Sequence, residues 1–290
     1  MQLLDGKSLA AKIRAGIKND ITDHDLSPGL AVILVGDDHA SHLYVSLKEK
    51  ACAEVGINFQ KFIYPDGAPE AEIISKIEDL NRQKGTNGIL IQLPLPKGYD
   101  TDKIINAMDP KKDADGFHPE NIALLAENKP YIYPGVHLGI IELIKMARVT
   151  LKNKIATVVS NSGIFAGPLT KMLADCGAET HYSIPDGKDV QEYVADADIL
   201  VVAAGRPKFI TAENVKPGAI VIDVGICRTP DGLCGDVDFE SVRHRASWIT
   251  PVPGGVGPMT IAMLLSNVVD LYKKQNGLKG GTEPLCPVYL

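Results

Sequence analysis

Short, unbroken apolar runs separated by helix-length segments constrain this chain more than any other feature. Leu30 to Val35 and Ile199 to Ala204 contain no polar residue at all. A strand with one wet face alternates apolar and polar residues, so a continuous run suits a strand covered on both faces, as in a parallel sheet. Parallel neighbours need crossovers long enough to hold a helix.

The text around these runs supplies such crossovers. Behind Ser8, read as a cap, Leu9, Ile13, Ile17 and Ile21 recur every fourth position and predict a helix. Then follow a helix over 41–55, a strand over 58–64, a helix over 69–83 and a strand over 88–93. After them come Pro94-Leu-Pro96, a short helix around Ile104 and a charged loop from Lys111 to Phe117. A second block opens after a helix over 138–147, with strands predicted at 155–160, 179–184, 199–203 and 219–224 and helices at 168–175 and 190–197 between them. The expected fold class is therefore α/β with two domains: an N-terminal α/β catalytic domain (1–118, with a returning C-terminal helix in 260–290) and a Rossmann-type dinucleotide domain (119–259), a cleft lying between them. The tail from Gly277 onward reads as loosely held.

Bulk properties exclude several classes. A net charge of −6, with acids and bases interspersed, leaves no basic stripe for a nucleic-acid backbone. The apolar runs fall well short of the roughly 20 residues of a spanning helix, so no membrane partner is expected. Acid at Asp5 and the lack of an apolar stretch behind a basic start argue against a secretory leader, and a reducing cytoplasm is the expected compartment. Five cysteines, Cys52, Cys176, Cys227, Cys234 and Cys286, include no C-x-x-C pair and read as packing residues rather than a disulfide framework or zinc site. No histidine spacing suggests a catalytic metal.

Candidate chemistry gathers at four places. Tyr44 and Lys48, four apart on a predicted helix, leave the same face, which suits a ring to stack and an amine to move protons once burial lowers its pKa. The alternative is a solvated lysine beside a half-buried tyrosine. Gln92 stands at the carboxyl end of a predicted strand, where parallel sheets bind ligands, unless it merely holds its loop. Asp115, in Asp113-Ala-Asp115-Gly, either accepts paired N–H donors of a planar heterocycle or caps a turn; the later ligands of a calcium loop are missing. The stretch Pro251-Val-Pro-Gly-Gly-Val-Gly-Pro258-Met-Thr260 combines close backbone approach with rigidity, and Thr260 is read as capping the next helix.

Taken in order, Tyr44-Val-Ser-Leu-Lys48, Gly56-Ile57, Gln92-Leu-Pro-Leu-Pro96, Lys112-Asp-Ala-Asp115-Gly116 and Pro251 to Thr260 resemble the bifunctional methylenetetrahydrofolate dehydrogenase/cyclohydrolase family, over roughly Leu4 to Lys274. The resemblance implies oxidation of methylenetetrahydrofolate with NAD or NADP, then hydrolysis of the methenyl form, by a homodimer. It implies Lys48 as acid/base, Tyr44 stacked on the folate, Gln92 positioning Lys48, Asp115 anchoring the pterin, and Pro253, Gly254 and Gly255 lining the substrate site. Cofactor contacts would come from Ser160, Asn161, Ser162, Asp186, Ala204, Gly205, Gly225 and Ile226.

Three departures stand out. The family's first Rossmann turn, G-R-S-x-x-V-G-x-P, is Ser160-Asn-Ser-Gly-Ile-Phe165-Ala-Gly-Pro168 here, so the arginine expected at a ribose 2′-phosphate is Asn161. The usual H-S-x-T is replaced by Ile184-Pro-Asp186-Gly, which puts an acid where NAD-binding domains hold the ribose 2′-hydroxyl, or simply makes a turn. P-C-T-P-x-G becomes Pro134-Gly-Val-His137-Leu-Gly139. Alternatives therefore stay open: a cyclohydrolase with a weakened or lost dehydrogenase, a non-catalytic folate-binding protein, or a dehydrogenase sharing only the Rossmann half.

Overall fold

The computed structural model describes residues 1–230, 232–278, 285 and 286. They form two compact units, one of residues 11–135 with 261–278, the other of residues 1–10, 136–230, 232–260, 285 and 286. These boundaries differ from the expected ones. Residues 119–135 join the first unit, and the first ten residues join the dinucleotide unit, where β1 (Gln2–Leu3) adds a parallel edge strand. The chain passes from one unit to the other within α1 (Gly6–Asp23). That helix is capped by Asp5, whose carboxylate accepts the Ser8 backbone N–H at 3.0 Å, so the expected cap Ser8 lies inside it.

The first unit is built on β2 (Gly29–Val35), whose seven residues are all buried. After α2 (His39–Val55) comes β3 (Asn58–Tyr64), and after α3 (Glu70–Arg82) comes β4 (Gly88–Ile91). The three strands lie parallel in the order β3-β2-β4. One side packs Val32, Leu34, Val45, Cys52 and Val55 with Leu264, Val268 and Leu271; the other packs Ile33, Ile73, Ile77, Leu80 and Ile104. Both faces are thus covered, which is why β2 is apolar throughout. The short helices α4 (Thr101–Asn106) and α5 (Pro119–Ala126) follow, and α5 was not foreseen.

The dinucleotide unit continues from α6 (Gly135–Met146) through β5 (Ile155–Ser160), α7 (Gly163–Asp175), β6 (Glu179–Ser183), α8 (Val190–Asp196), β7 (Ile199–Ala203) and β8 (Ile220–Asp223). A small antiparallel hairpin, β9 (Cys227–Thr229) and β10 (Gly232–Cys234), then α9 (Phe239–Val242) and β11 (Trp248–Ile249) precede α10 (Val256–Gln275). The six-stranded sheet runs β1-β11-β8-β7-β5-β6, every pairing parallel. All its strands therefore deliver their carboxyl ends to one edge.

Several expectations change. α7 starts at Gly163, five residues before Pro168, so the proline lies inside the helix in its second turn rather than at its start. α10 begins at Val256, so Thr260 is not a cap; its hydroxyl donates to the Val256 carbonyl at 3.2 Å. Cys176 and Cys286 form a disulfide, against the reading of all five cysteines as packing residues, while Cys52 and Cys227 are free and buried. The 110 residues separating that pair carry no local signature a spacing rule can detect. Of the tail expected to be loose, residues 279–284 and 287–290 lie outside the described residues. Among the described residues no helix is long and apolar enough to cross a membrane.

Candidate active site

In the first unit, α2 is started by Asp38, whose carboxylate accepts the Ser41 N–H at 2.8 Å, and ended by Gly56 in the left-handed region. Its registry puts Val45, Cys52 and Val55 into the core and leaves Tyr44 half-buried one turn before Lys48. Lys48 is 8% exposed. Its Nζ donates to Gln92 Oε1 at 2.7 Å, and Gln92 Nε2 donates in turn to the Leu93 carbonyl at 2.8 Å. Gln92 follows directly on β4 and keeps its backbone N–H on the Ile33 carbonyl, so the amide stands at the carboxyl end of the sheet.

Asp115 belongs to the same group. The 113–115 segment runs beside β4, with a bridge between Ile89 and Asp113 and the Ala114 N–H on the Ile89 carbonyl. The turn-capping role considered for Asp115 falls to Asp113, which accepts from the Gly116 and His118 N–H groups and from Asn121 Nδ2 at 2.8–2.9 Å. Lys112 reaches back to the carbonyls of Leu80 and Gln83 and closes α3. Gly116 has φ +83°, and a Cβ there would lie 2.6 Å from the Tyr133 carbonyl oxygen, so no other residue fits the turn. With both neighbours anchored, the Asp115 side chain remains for the site.

Electrostatics follow from burial. Desolvation disfavours the ammonium and lowers the Lys48 pKa, against a smaller pull from Asp115. Burial pushes the Asp115 carboxyl up to about 6; Lys48 opposes this and Asp113 adds to it. Gln92 accepts the lysine's hydrogen bond without contributing charge. The arrangement is an amine whose pKa burial lowers beside a carboxyl group whose pKa burial raises, with a half-buried tyrosine ring one helical turn away.

The dinucleotide unit holds the remaining candidates. Pro253, Gly254 and Gly255 form its turn before α10; the Gly254 carbonyl accepts the Lys7 N–H at 2.8 Å. Ser160, Asn161 and Ser162 leave β5. Ser162 caps α7 by accepting the Phe165 N–H, and a Cβ built on Gly163 would meet nothing within 4 Å, leaving room for an anionic group where a helix start favours one. Asn161 Nδ2 donates to the Ala204 carbonyl. His137 is fully buried, packed edge-on against Phe165 at 4.8 Å, and desolvation pushes its pKa down to about 3. Two residues from the departing motifs, His137 and Phe165, thus pack against one another.

Two residues that sequence reasoning passed over organise this edge. The buried carboxylate of Asp236 accepts the backbone N–H groups of Ala204, Gly205 and Arg206 at 2.6–2.9 Å. That of Asp223 accepts from Gly225, Asp236 and Val237 at 2.9–3.0 Å, and burial pushes it up to about 7. A Cβ on Gly225 would sit 2.3 Å from the Asp236 carboxyl carbon, which explains the glycine. Asp236 serves amides some thirty residues away, beyond any spacing rule.

Residues 4–115 match the tetrahydrofolate dehydrogenase/cyclohydrolase catalytic domain and residues 134–276 its NAD(P)-binding domain. The chain belongs to the tetrahydrofolate dehydrogenase/cyclohydrolase family. It is 47% identical over 277 residues to the bifunctional protein FolD of Nautilia profundicola, covering 94% of this chain and 98% of that one. Its fold is similar to the crystal structure of the bifunctional FolD enzyme of Campylobacter jejuni, with TM-score 0.91, 41% identity, and 95% and 99% of the two chains covered. It is also similar to the Trypanosoma brucei family enzyme complexed with NADP cofactor and inhibitor, with TM-score 0.89, 32% identity, and 94% and 97% covered.

Proposed function

We propose that this family member oxidises 5,10-methylenetetrahydrofolate to the methenyl form with a nicotinamide dinucleotide and hydrolyses the methenyl form to 10-formyltetrahydrofolate. The observation that carries the reading is the buried Lys48, held at 2.7 Å by a neutral glutamine in the same unit as Asp115. A bound dinucleotide supplies the acceptor for the hydride leaving the methylene carbon. The start of α7, with open space beside Gly163, suits its pyrophosphate.

The chain's own groups do the rest. Tyr44 stacks on the folate, and Asp115 receives the paired N–H donors of the pterin, a role suited to a carboxyl group whose neighbours in the loop are already anchored. In the hydrolytic half, water adds to the methenyl carbon while Lys48, as a neutral amine, takes its proton. The resulting ammonium returns that proton to the ring nitrogen as its bond to the carbon breaks, and the carbinol hydroxyl releases its own proton to solvent as it becomes the formyl carbonyl. Gln92 keeps Nζ aimed through both transfers without fixing its charge. Assembly as a homodimer, implied by the resemblance, belongs to the same proposal.

The test is methylenetetrahydrofolate oxidation by the purified protein with NAD and NADP in parallel, beside a separate assay of methenyltetrahydrofolate hydrolysis. Both activities are expected. Hydrolysis without oxidation would replace the bifunctional reading by a lone cyclohydrolase, and silence in both would overturn it. Sedimentation analysis at micromolar protein checks the dimer.

A further inference from the structure

Three strand exits line up on one edge of the dinucleotide sheet in the order β6, β5, β7. The middle exit is Ser160 to Ser162, before the helix start just described. On either side stand two charged residues: Asp186, three residues past β6, and Arg206, three past β7. Neighbouring strands are about 4.8 Å apart. A contact between these residues must therefore reach over two strand spacings, across the mouth of β5. The structure makes that contact: Arg206 Nη2 donates to Asp186 Oδ2.

The bridge is aimed from below. Asp236 fixes the backbone of Ala204, Gly205 and Arg206 through its three N–H bonds, and the Arg206 guanidinium also lies 5.5 Å from the Phe209 ring centroid. Arg206 therefore leaves an anchored backbone, whereas the Asp186 side chain, 73% exposed, is open to a ligand. In doubly wound folds an acidic residue after the second strand takes the ribose hydroxyls of the adenosine half. Here β6 is that strand, and Asp186 stands on its exit.

We propose that the Asp186–Arg206 bridge reads the adenosine ribose and selects NAD, with its free 2′-hydroxyl, over the 2′-phosphorylated dinucleotide. A carboxylate accepts from ribose hydroxyls but repels a phosphate placed against it. Arg206 is engaged by that carboxylate, and Asn161, which faces the Ala204 carbonyl, brings no charge. Arg206 holds the carboxylate in orientation. This rests on the family reading of the dinucleotide site.

The experiment is calorimetric titration of the purified protein with NAD and with NADP, for the unsubstituted chain, Asp186→Asn and Arg206→Ala. NAD is expected to bind at least about tenfold more tightly than NADP to the unsubstituted chain. Asp186→Asn removes the repulsion and frees Arg206 for the phosphate, so the ratio should fall to about threefold or reverse. Arg206→Ala should still favour NAD. A preference for NADP that disappears in Arg206→Ala would overturn the proposal, because Arg206 would then be the phosphate ligand. A ratio unmoved by Asp186→Asn, or no binding of either dinucleotide, would overturn it too. Methenyltetrahydrofolate hydrolysis by the unsubstituted chain needs no dinucleotide, so its loss marks failure of the family reading separately.

Discussion

Replacing Gln92 by Glu would put a carboxylate where Lys48 now meets a neutral amide. The Nζ to Oε1 distance is 2.7 Å and Lys48 is nearly buried, so solvent screens the new pair weakly. At an effective dielectric constant of about 20, unit charges about 4 Å apart attract by about 4 kcal/mol, and each pKa unit corresponds to about 1.4 kcal/mol. That bounds the rise at about 3 units; the cost of desolvating the new carboxylate and its repulsion from Asp115 reduce it to about 1–2 units. The direction is fixed: an opposite charge stabilises the ammonium, so the neutral amine that takes a proton from water becomes available only at higher pH. Each unit lowers its population tenfold below the pKa, so methenyltetrahydrofolate hydrolysis should fall about 10- to 100-fold at pH 7 and recover as the pH rises. The assay is kcat/KM against pH after subtraction of the uncatalysed rate. Gln92→Met, which loses the hydrogen bond but adds no charge, should slow the reaction without moving the limb upward. An unmoved limb in Gln92→Glu, with a neutral-pH rate within about threefold of the parent, would refute Lys48 as the titrating base.

Other perturbations test separate parts of the structure. Lys48→Met should cut hydrolysis by about 10²- to 10⁴-fold while folate binding, read by fluorescence titration, stays measurable. Asp115 titrates near 6 in the fold and near 3.8 when unfolded, so the protein binds a proton on folding between those values. The stabilising share of this group is full below pH 3.8 and lost as pH rises through 6. Asp115→Asn should therefore raise Tm at pH 8 but not at pH 4, while impairing folate binding. Asp236→Ala leaves three backbone amides and the Cys227 thiol without their acceptor, and should cost more than about 3 kcal/mol in urea unfolding. Reductant should lower Tm in the parent chain, but not in Cys176→Ser, if the Cys176–Cys286 bond stabilises by its usual 2–4 kcal/mol or so.

By itself the sequence determined the class of fold and brought Lys48 forward as the candidate acid/base. β2 and β7 were readable because a strand buried on both faces has nowhere to place a polar residue. Tyr44 and Lys48 could be placed on one helix face because four residues make about one helical turn. Both signals are local, carried by neighbours in the chain. Boundaries were less legible: α10 starts before the expected residue because glycine and proline fit an opening turn as well as a loop, and α7 runs through Pro168 from Gly163. Gln92 was matched to Lys48 through the family resemblance, and the fold makes that contact across 44 residues; tertiary structure alone decided that Asp113 rather than Asp115 holds the turn. Likewise Asp236 grips the amides of the 204–206 loop, and Arg206 crosses β5 to Asp186. In each case a polar group finds its partner only after the sheet order is set. The hydrophobic pattern chooses the sheet, and the sheet then chooses which buried charges and amides must satisfy one another.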